Sequence, residues 1–262
     1  MKGVLLFAFN SPTVNYVNMA IAAAKRINHF LNLPVTLVTD NSFDSEYKFD
    51  KVILAPAESS NTKNNQVWIN KGRYRAYDLS PYQETIVLDT DYLVNSDILL
   101  KIFDLYDDFM TPNKTRFLLF PNAPQEQISP IGPNTLWATI IAFKKTNKTK
   151  QLFECLEMVQ KNYFHYINIY NMQNSMYRND YGLTIANNIV NGHYEDHRNY
   201  IPWPLIHVND SIKVYRNTED TYNTSYTMIR EIDTPQKVRN EYCVVKDIDF
   251  HLMNKKTFME IV

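Results

Sequence analysis

The apolar positions of the first ninety residues alternate between two periods. Residues 3–9 (GVLLFAF) form an unbroken apolar run, the pattern of a strand buried on both faces. Asn10-Ser11-Pro12-Thr13 reads as a loop that starts a helix. Val17, Ala20, Ile21, Ala24, Ile27 and Leu31 then recur near 3.6-residue spacing, which predicts a helix ending at about Leu31. Pro34 closes the connection, 35–39 (VTLVT) is a second strand ending at Asp40, and 52–54 (VIL) a short third. A polar loop over 58–66 and a helix from about Trp68 to Leu79, stopped by Ser80-Pro81, lead to the strand 85–88 (TIVL). Strands separated by helices predict an α/β fold with a mostly parallel central sheet and helices on both faces.

The second half is less regular. Strands are expected at 117–120 and 139–143, flanking a Pro-rich loop at 121–134 that could cover a site. Helices are expected at 149–162 and 179–191, loops with short strands over 201–230, and a strand at 243–251 ending on His251. Without repeats, low-complexity tracts or a linker, the 262 residues read as a single domain.

Composition narrows the chemistry. An apolar share of 45% suffices for a sizeable core, and a net charge of −1 gives no global pull toward nucleic acid or an anionic membrane. With 5 glycines there is no G-x-G-x-x-G and no G-x-x-x-x-G-K-[ST], so phosphates would have to be held by something other than a Gly-rich loop, most simply a metal ion. Cys155 and Cys243 are far apart and read as incidental thiols. The N-terminal apolar run is too short for a signal peptide, and no stretch reaches the roughly 18 apolar residues of a membrane span. The expectation is a soluble, cytoplasmic protein.

The sharpest chemical feature is Asp89-x-Asp91, directly after an apolar strand. In open α/β sheets ligands sit outside the carboxyl ends of the strands. Two carboxylates there can turn toward one Mg2+ or Mn2+ shared with substrate phosphates. An exposed turn is the bland alternative. His193, Glu195, Asp196 and His197 lack the register of a metal-binding helix and read as a solvated turn. No nucleophile elbow is present, and Tyr163, Phe164, Tyr166 and Tyr170 read as core or as the wall of a cleft.

The string from Arg73 through Ser80-Pro81-Tyr82 and the strand to Asp89-Thr90-Asp91 resembles the core of GT-A glycosyltransferases, in which a basic helix and a turn precede the Asp-x-Asp. The resemblance extends to the opening strand with Asn10, and to the tail. There Asp249-Phe250-His251-Leu252-Met253-Asn254-Lys255 is similar to the late His motif of that superfamily, although the Gly expected between His and Lys is absent.

The resemblance implies a GT-A fold with a nucleotide-binding half over about 1–110 and an irregular acceptor half over about 111–262, whose tail returns to the metal. It implies Asp89, Asp91 and His251 as ligands of Mn2+ or Mg2+, and Lys71, Arg73 and Lys255 as groups near a diphosphate. Asn10 and Asp40 would stand at the nucleoside, and Asp180 at the donor sugar or the acceptor hydroxyl. A helix cap is the plainer role for Asp180. The donor would be a nucleoside diphosphate sugar, most simply a UDP-sugar, and the acceptor a saccharide, a protein or a modified DNA base.

The last option enters because the chain is also similar to small GT-A proteins of tailed bacteriophages, some of which glycosylate modified DNA bases. Residues 144–150 (KKTNKTK) offer a local basic patch. A sugar nucleotidyltransferase is disfavoured by the missing Gly-rich loop. A binding protein with a silent site would lack metal-dependent donor binding.

Overall fold

The computed structural model describes residues 1–56, 61–63, 66–68, 71–120, 122–173, 176–233 and 238–262; at 61–63, 66–68, 71 and 238 it describes the backbone alone. The N-terminal half runs β1 (Lys2–Phe7), α1 (Tyr16–Leu31), β2 (Val35–Thr39), β3 (Lys51–Leu54), β4 (Asn61–Lys63) and β5 (Gln66–Trp68). A 3-10 turn (Lys71–Arg75) leads into α2 (Ala76–Leu79), β6 (Glu84–Leu88), β7 (Tyr92–Leu93) and β8 (Phe109–Met110). Then follow β9 (Thr115–Phe117), β10 (Ile140–Lys144), α3 (Asn147–Lys161), α4 (Tyr163–Tyr170) and α5 (Asn179–Val190). The C-terminal part holds β11 (Leu205–Val208), β12 (Lys213–Arg216), β13 (Ser225–Asp233), β14 (Val238–Lys246), β15 (Phe250–Leu252) and α6 (Lys255–Ile261).

A six-stranded sheet in the order β3-β2-β1-β6-β10-β8 forms the centre. The first four strands are mutually parallel, and β10 and β8 continue the sheet by antiparallel pairing. The molecule is therefore α/β with a mostly parallel central sheet. Its strands alternate between two cores, as the two-residue period of a strand requires. Val4, Leu6, Leu37, Ile86 and Leu88 pack with Ala20, Ala24 and Ile27 of α1. Leu5, Val38, Val87, Ile141 and Phe143 pack with Leu152 and Leu156 of α3 and Leu183 and Ala186 of α5. The chain passes from β1 outward to β2 and β3, then returns to place β6 on the other side of β1. This reversal opens a crevice at the carboxyl ends of β1 and β6.

A second sheet, β7-β15-β11-β9, and an antiparallel sheet, β12-β13-β14, enclose a third core containing Leu93, Val208, Tyr226, Phe250 and Phe258. Through β7 and β15 the C-terminal tail is paired to the residues just after Asp91.

Three predicted elements differ. The helix over Trp68–Leu79 shrinks to a 3-10 turn and the single turn of α2, with Trp68 in a hairpin strand; Gly72 lowers helix propensity there. That hairpin also replaces part of the 58–66 loop, the rest of which lies outside the described residues. The strand over 117–120 ends at Phe117, because Leu119 turns to positive φ (62°). The tail strand 243–251 is cut in two by Asp247 at φ 54°, a conformation that Asp tolerates better than most residues. The cut sends β14 and β15 to different sheets.

Candidate active site

β6 is buried from Thr85 to Leu88, so the chain emerges at the carboxyl end of the strand at Asp89. The backbone then fixes both carboxylates. Asp89 N donates to Thr139 O (3.0 Å), Tyr92 N to Asp89 O (3.1 Å), and Leu252 N to Asp91 O (3.0 Å). Asp89 is ion-paired with Arg73, whose Nη1 also donates to Ala138 O (2.8 Å). Asp91 faces both Lys255 and His251, with His251 Nε2 3.1 Å from its Oδ2. Burial alone would push the Asp91 carboxyl up; Lys255 and His251 outweigh it and hold the group well below the usual carboxylate range. Burial also lowers the Arg73 guanidinium, against the opposing pull of Asp180 and Asp91.

One oxygen from each of Asp89 and Asp91 and one ring nitrogen of His251 lie within 4.8 Å of one another. A cation with bonds of about 2.1 Å keeps its ligand atoms within about 4.2 Å of each other, so small side-chain rotations bring these three onto one ion. Two carboxylates and an imidazole are a donor set that suits Mn2+, and the residues fit the group.

These side chains line one wall of a cleft of about 480 Å³, a volume typical of small-ligand sites. Asp180 lines the same cleft. It is not the cap of α5, since that position belongs to Arg178, which makes no capping bond. Asp180 Oδ1 accepts the Ala138 N–H (2.9 Å) and its Oδ2 the Arg178 Nη2–H (2.8 Å), which ties α5 to the chain entering β10. Arg178 also pairs with Glu126 of the Pro-rich loop (2.7 Å). Burial would lower its guanidinium, but Asp180 and Glu126 together raise it above the usual value. Trp137 also lines the cleft, with the Arg178 guanidinium 5.8 Å over its ring.

Of the residues singled out by sequence, Arg73, Asp89, Asp91, Asp180, His251 and Lys255 thus meet in one cleft. Asn10 and Asp40 stand after β1 and β2 but are absent from its lining, and Asn10 Oδ1 accepts the Val17 N–H (3.0 Å) at the start of α1. Lys71 opens the 3-10 turn, and its side chain lies outside the described residues. His193, Glu195 and His197 are exposed, and among the described residues the only group placed to share a metal is Asp89, Asp91 and His251. Sequence reading missed Glu126 and His207 and gave Arg178 no role. His207 had a signal, a lone polar residue inside the apolar strand 205–208, whereas Glu126 had none.

No protein-family model and no curated protein matches the chain. Among solved structures it is similar to the glycosyltransferase GlyE of Streptococcus pneumoniae TIGR4, at 15% identity and a TM-score of 0.43, over 85% of this chain and 46% of that one. It is also similar to the galactosyltransferase LgtC in complex with donor and acceptor sugar analogs, at 12% identity and a TM-score of 0.48, over 71% and 70% of the two chains. Mouse xyloside xylosyltransferase 1 in its apo form matches at 12% identity and a TM-score of 0.45, over 80% and 86%. The chain thus spans about half the length of the GlyE structure. These are similarities of chain path at low identity, and the functional reading rests on the side chains of the cleft.

Proposed function

We propose that this protein transfers a sugar from a nucleoside diphosphate sugar, most simply a UDP-sugar, to an acceptor hydroxyl, with Mn2+ or Mg2+ held by Asp89, Asp91 and His251. One observation carries the reading. Two carboxylates and an imidazole converge with two cationic side chains, Arg73 and Lys255, in a single cleft at the carboxyl ends of the parallel strands. A cation site flanked by cations suits an anionic ligand that brings its own charge, as a diphosphate does. When bound, the metal neutralises charge on the diphosphate leaving group. Arg73 and Lys255, now ion-paired to Asp89 and Asp91, would turn to the phosphate oxygens, and Lys71 is a third candidate for the diphosphate.

In this reading Asp40 and Asn10, at the ends of β2 and β1, serve the nucleoside. Asp180 faces the transferred sugar or takes the proton of the acceptor hydroxyl. The N-terminal part, to about 110, binds the nucleotide, and the rest of the single domain shapes the acceptor side. A saccharide or protein acceptor is favoured over a modified DNA base, because the lysines of 144–150 are already engaged. Lys144 lies 5.0 Å over the Tyr106 ring, Lys145 Nζ donates to Ser80 O (2.7 Å), Lys148 pairs with Asp196 (3.8 Å) and Lys150 with Glu154 (3.7 Å). No described helix is long and apolar enough to cross a membrane.

The test is thermal unfolding with UDP, GDP and ADP, each with and without Mn2+, on wild type and Asp91→Asn. A nucleotide at a hundredfold excess over its Kd adds about 2.7 kcal/mol to native stability. The expected result is stabilisation by one nucleotide, only with Mn2+, and its loss in Asp91→Asn. If no nucleotide shifts the wild type with either Mn2+ or Mg2+, the reading fails.

A further inference from the structure

The second sheet places two imidazoles side by side. In the parallel pairing of β11 and β15, His207 is the register partner of His251, and the row continues to Phe117 on one side and Tyr92 on the other. The Nδ1 atoms of the two histidines are 3.1 Å apart, with the rings nearly perpendicular at 76°. His207 is 1% exposed, walled by the rings of Phe117 and Trp137 at 4.8 and 5.3 Å. The two nitrogens of His251 therefore face different groups: Nε2 looks at Asp91, and Nδ1 looks at His207.

A hydrogen bond between two Nδ1 atoms needs one hydrogen between them. If His207 supplies it, the ring hydrogen of neutral His251 sits on Nε2, aimed at Asp91, and no lone pair is left there for a cation. If His251 supplies it, Nε2 is bare and faces the carboxylates. Metal-binding histidines generally donate the hydrogen of their other nitrogen to a fixed acceptor, and that partner sets tautomer and ring angle. We propose that His207 is the positioning residue of the candidate cation site: its Nδ1 accepts the Nδ1 hydrogen of His251 and so presents the bare Nε2 of His251 to the ion. This rests on the reading of Asp89, Asp91 and His251 as a cation site. The pairing also accounts for a polar side chain in the middle of an otherwise apolar strand: the row opposite β15 holds a ring nitrogen, and an aliphatic residue there would leave the nearly buried His251 Nδ1 without a partner.

The experiment measures Mn2+ binding to the full chain through the electron paramagnetic resonance signal of free Mn2+. Wild type, Asp91→Asn, His251→Leu, His207→Leu, His207→Asn and the His207→Leu/His251→Leu double variant are compared, each first checked for folding by circular dichroism. Expected are a 10–100-fold weaker affinity in His207→Leu and substantial recovery in His207→Asn, whose amide oxygen restores an acceptor near the Nδ1 position. No further loss is expected when His207→Leu is added to His251→Leu. A second measurement needs no variant. Long-range 1H–15N spectra of the histidines with diamagnetic Mg2+ should show the ring hydrogen of His251 on Nδ1 and that of His207 on Nε2.

Three results overturn the proposal while leaving the cation site intact: an unchanged affinity in His207→Leu beside a lost one in Asp91→Asn, an equal loss in the His251→Leu background, or the opposite tautomers. Absence of Mn2+ binding by the wild type overturns the site and the proposal together.

Discussion

Asp180 illustrates how much a single side chain's partners say about its role. A carboxylate in the first turn of a helix most often caps it, yet this one spends both oxygens elsewhere, on the Ala138 amide and the Arg178 guanidinium. It is thereby held in one orientation at the wall of the cleft, which is what a group acting on a sugar or an acceptor hydroxyl requires. Asp180→Asn keeps an acceptor for Ala138 and loses the charge. We expect its transfer rate to fall by about 100-fold or more, with Mn2+-dependent stabilisation by nucleotide retained. Steady-state kinetics beside thermal shifts would separate the two, and an unchanged rate would reduce Asp180 to a tether.

At the level of elements, α5 carries a cost that its neighbour explains. Gly182 sits in the helix, where Gly is about 1 kcal/mol worse than Ala. A Cβ there would stand 2.6 Å from the Tyr177 hydroxyl oxygen, 2.9 Å from its ring and 3.0 Å from a Leu156 methyl. Tyr177 lines the cleft, so the missing side chain lets a cleft residue pack directly on the helix. Gly182→Ala is expected to lose about 1 kcal/mol net, the overpacking penalty of about 1–3 kcal/mol exceeding the propensity gain. Urea denaturation measures this; a stabilised variant would mean that Tyr177 yields freely.

Across the whole molecule, Arg26 joins parts far apart in sequence. It is 1% exposed and donates to Val94 O (2.7 Å), Thr221 O (2.7 Å) and the Asn95 side chain. Asn95 N in turn donates to Asp249 Oδ1 (2.7 Å), and Asn95 Nδ2 to Ile248 O (2.8 Å). The chain after Asp91 is thus anchored to the chain before His251, with α1 as the support. Burial lowers the Arg26 guanidinium, and Tyr226, Tyr222 and Asp249 oppose this. Asp249 itself is pushed up to about 6 by burial, despite the bonds from Asn95 and Ser96. Arg26→Met should cost about 3 kcal/mol or more, since two buried acceptors and one half-buried one lose their donor. It should also weaken Mn2+ binding by loosening the approach of His251. Urea unfolding and metal titration test the two effects separately.

The sequence by itself determined the parallel half of the fold. Continuous apolar runs such as 3–9 and 35–39, separated by a 3.6-residue pattern over 17–31, admit few arrangements other than buried parallel strands under helices. It also determined where Asp89 and Asp91 emerge, because a buried strand delivers its next residues to the sheet edge. Tertiary structure alone decided the rest. Whether the tail was one strand or two turned on Asp247 adopting positive φ, a choice tied to pairing with β11 and β7, elements distant in the chain and invisible to local periodicity. The same pairing brought His207 against His251 and Lys255 against Asp91. The Glu126–Arg178–Asp180 chain depends on where an irregular Pro-rich loop comes to rest. Local sequence encodes elements through short-range sterics and period, whereas these contacts exist only once separate elements share buried surface. The carboxylate pair was therefore legible in the chain, and His251 through its likeness to a late His motif, whereas the His207 that faces His251 was not.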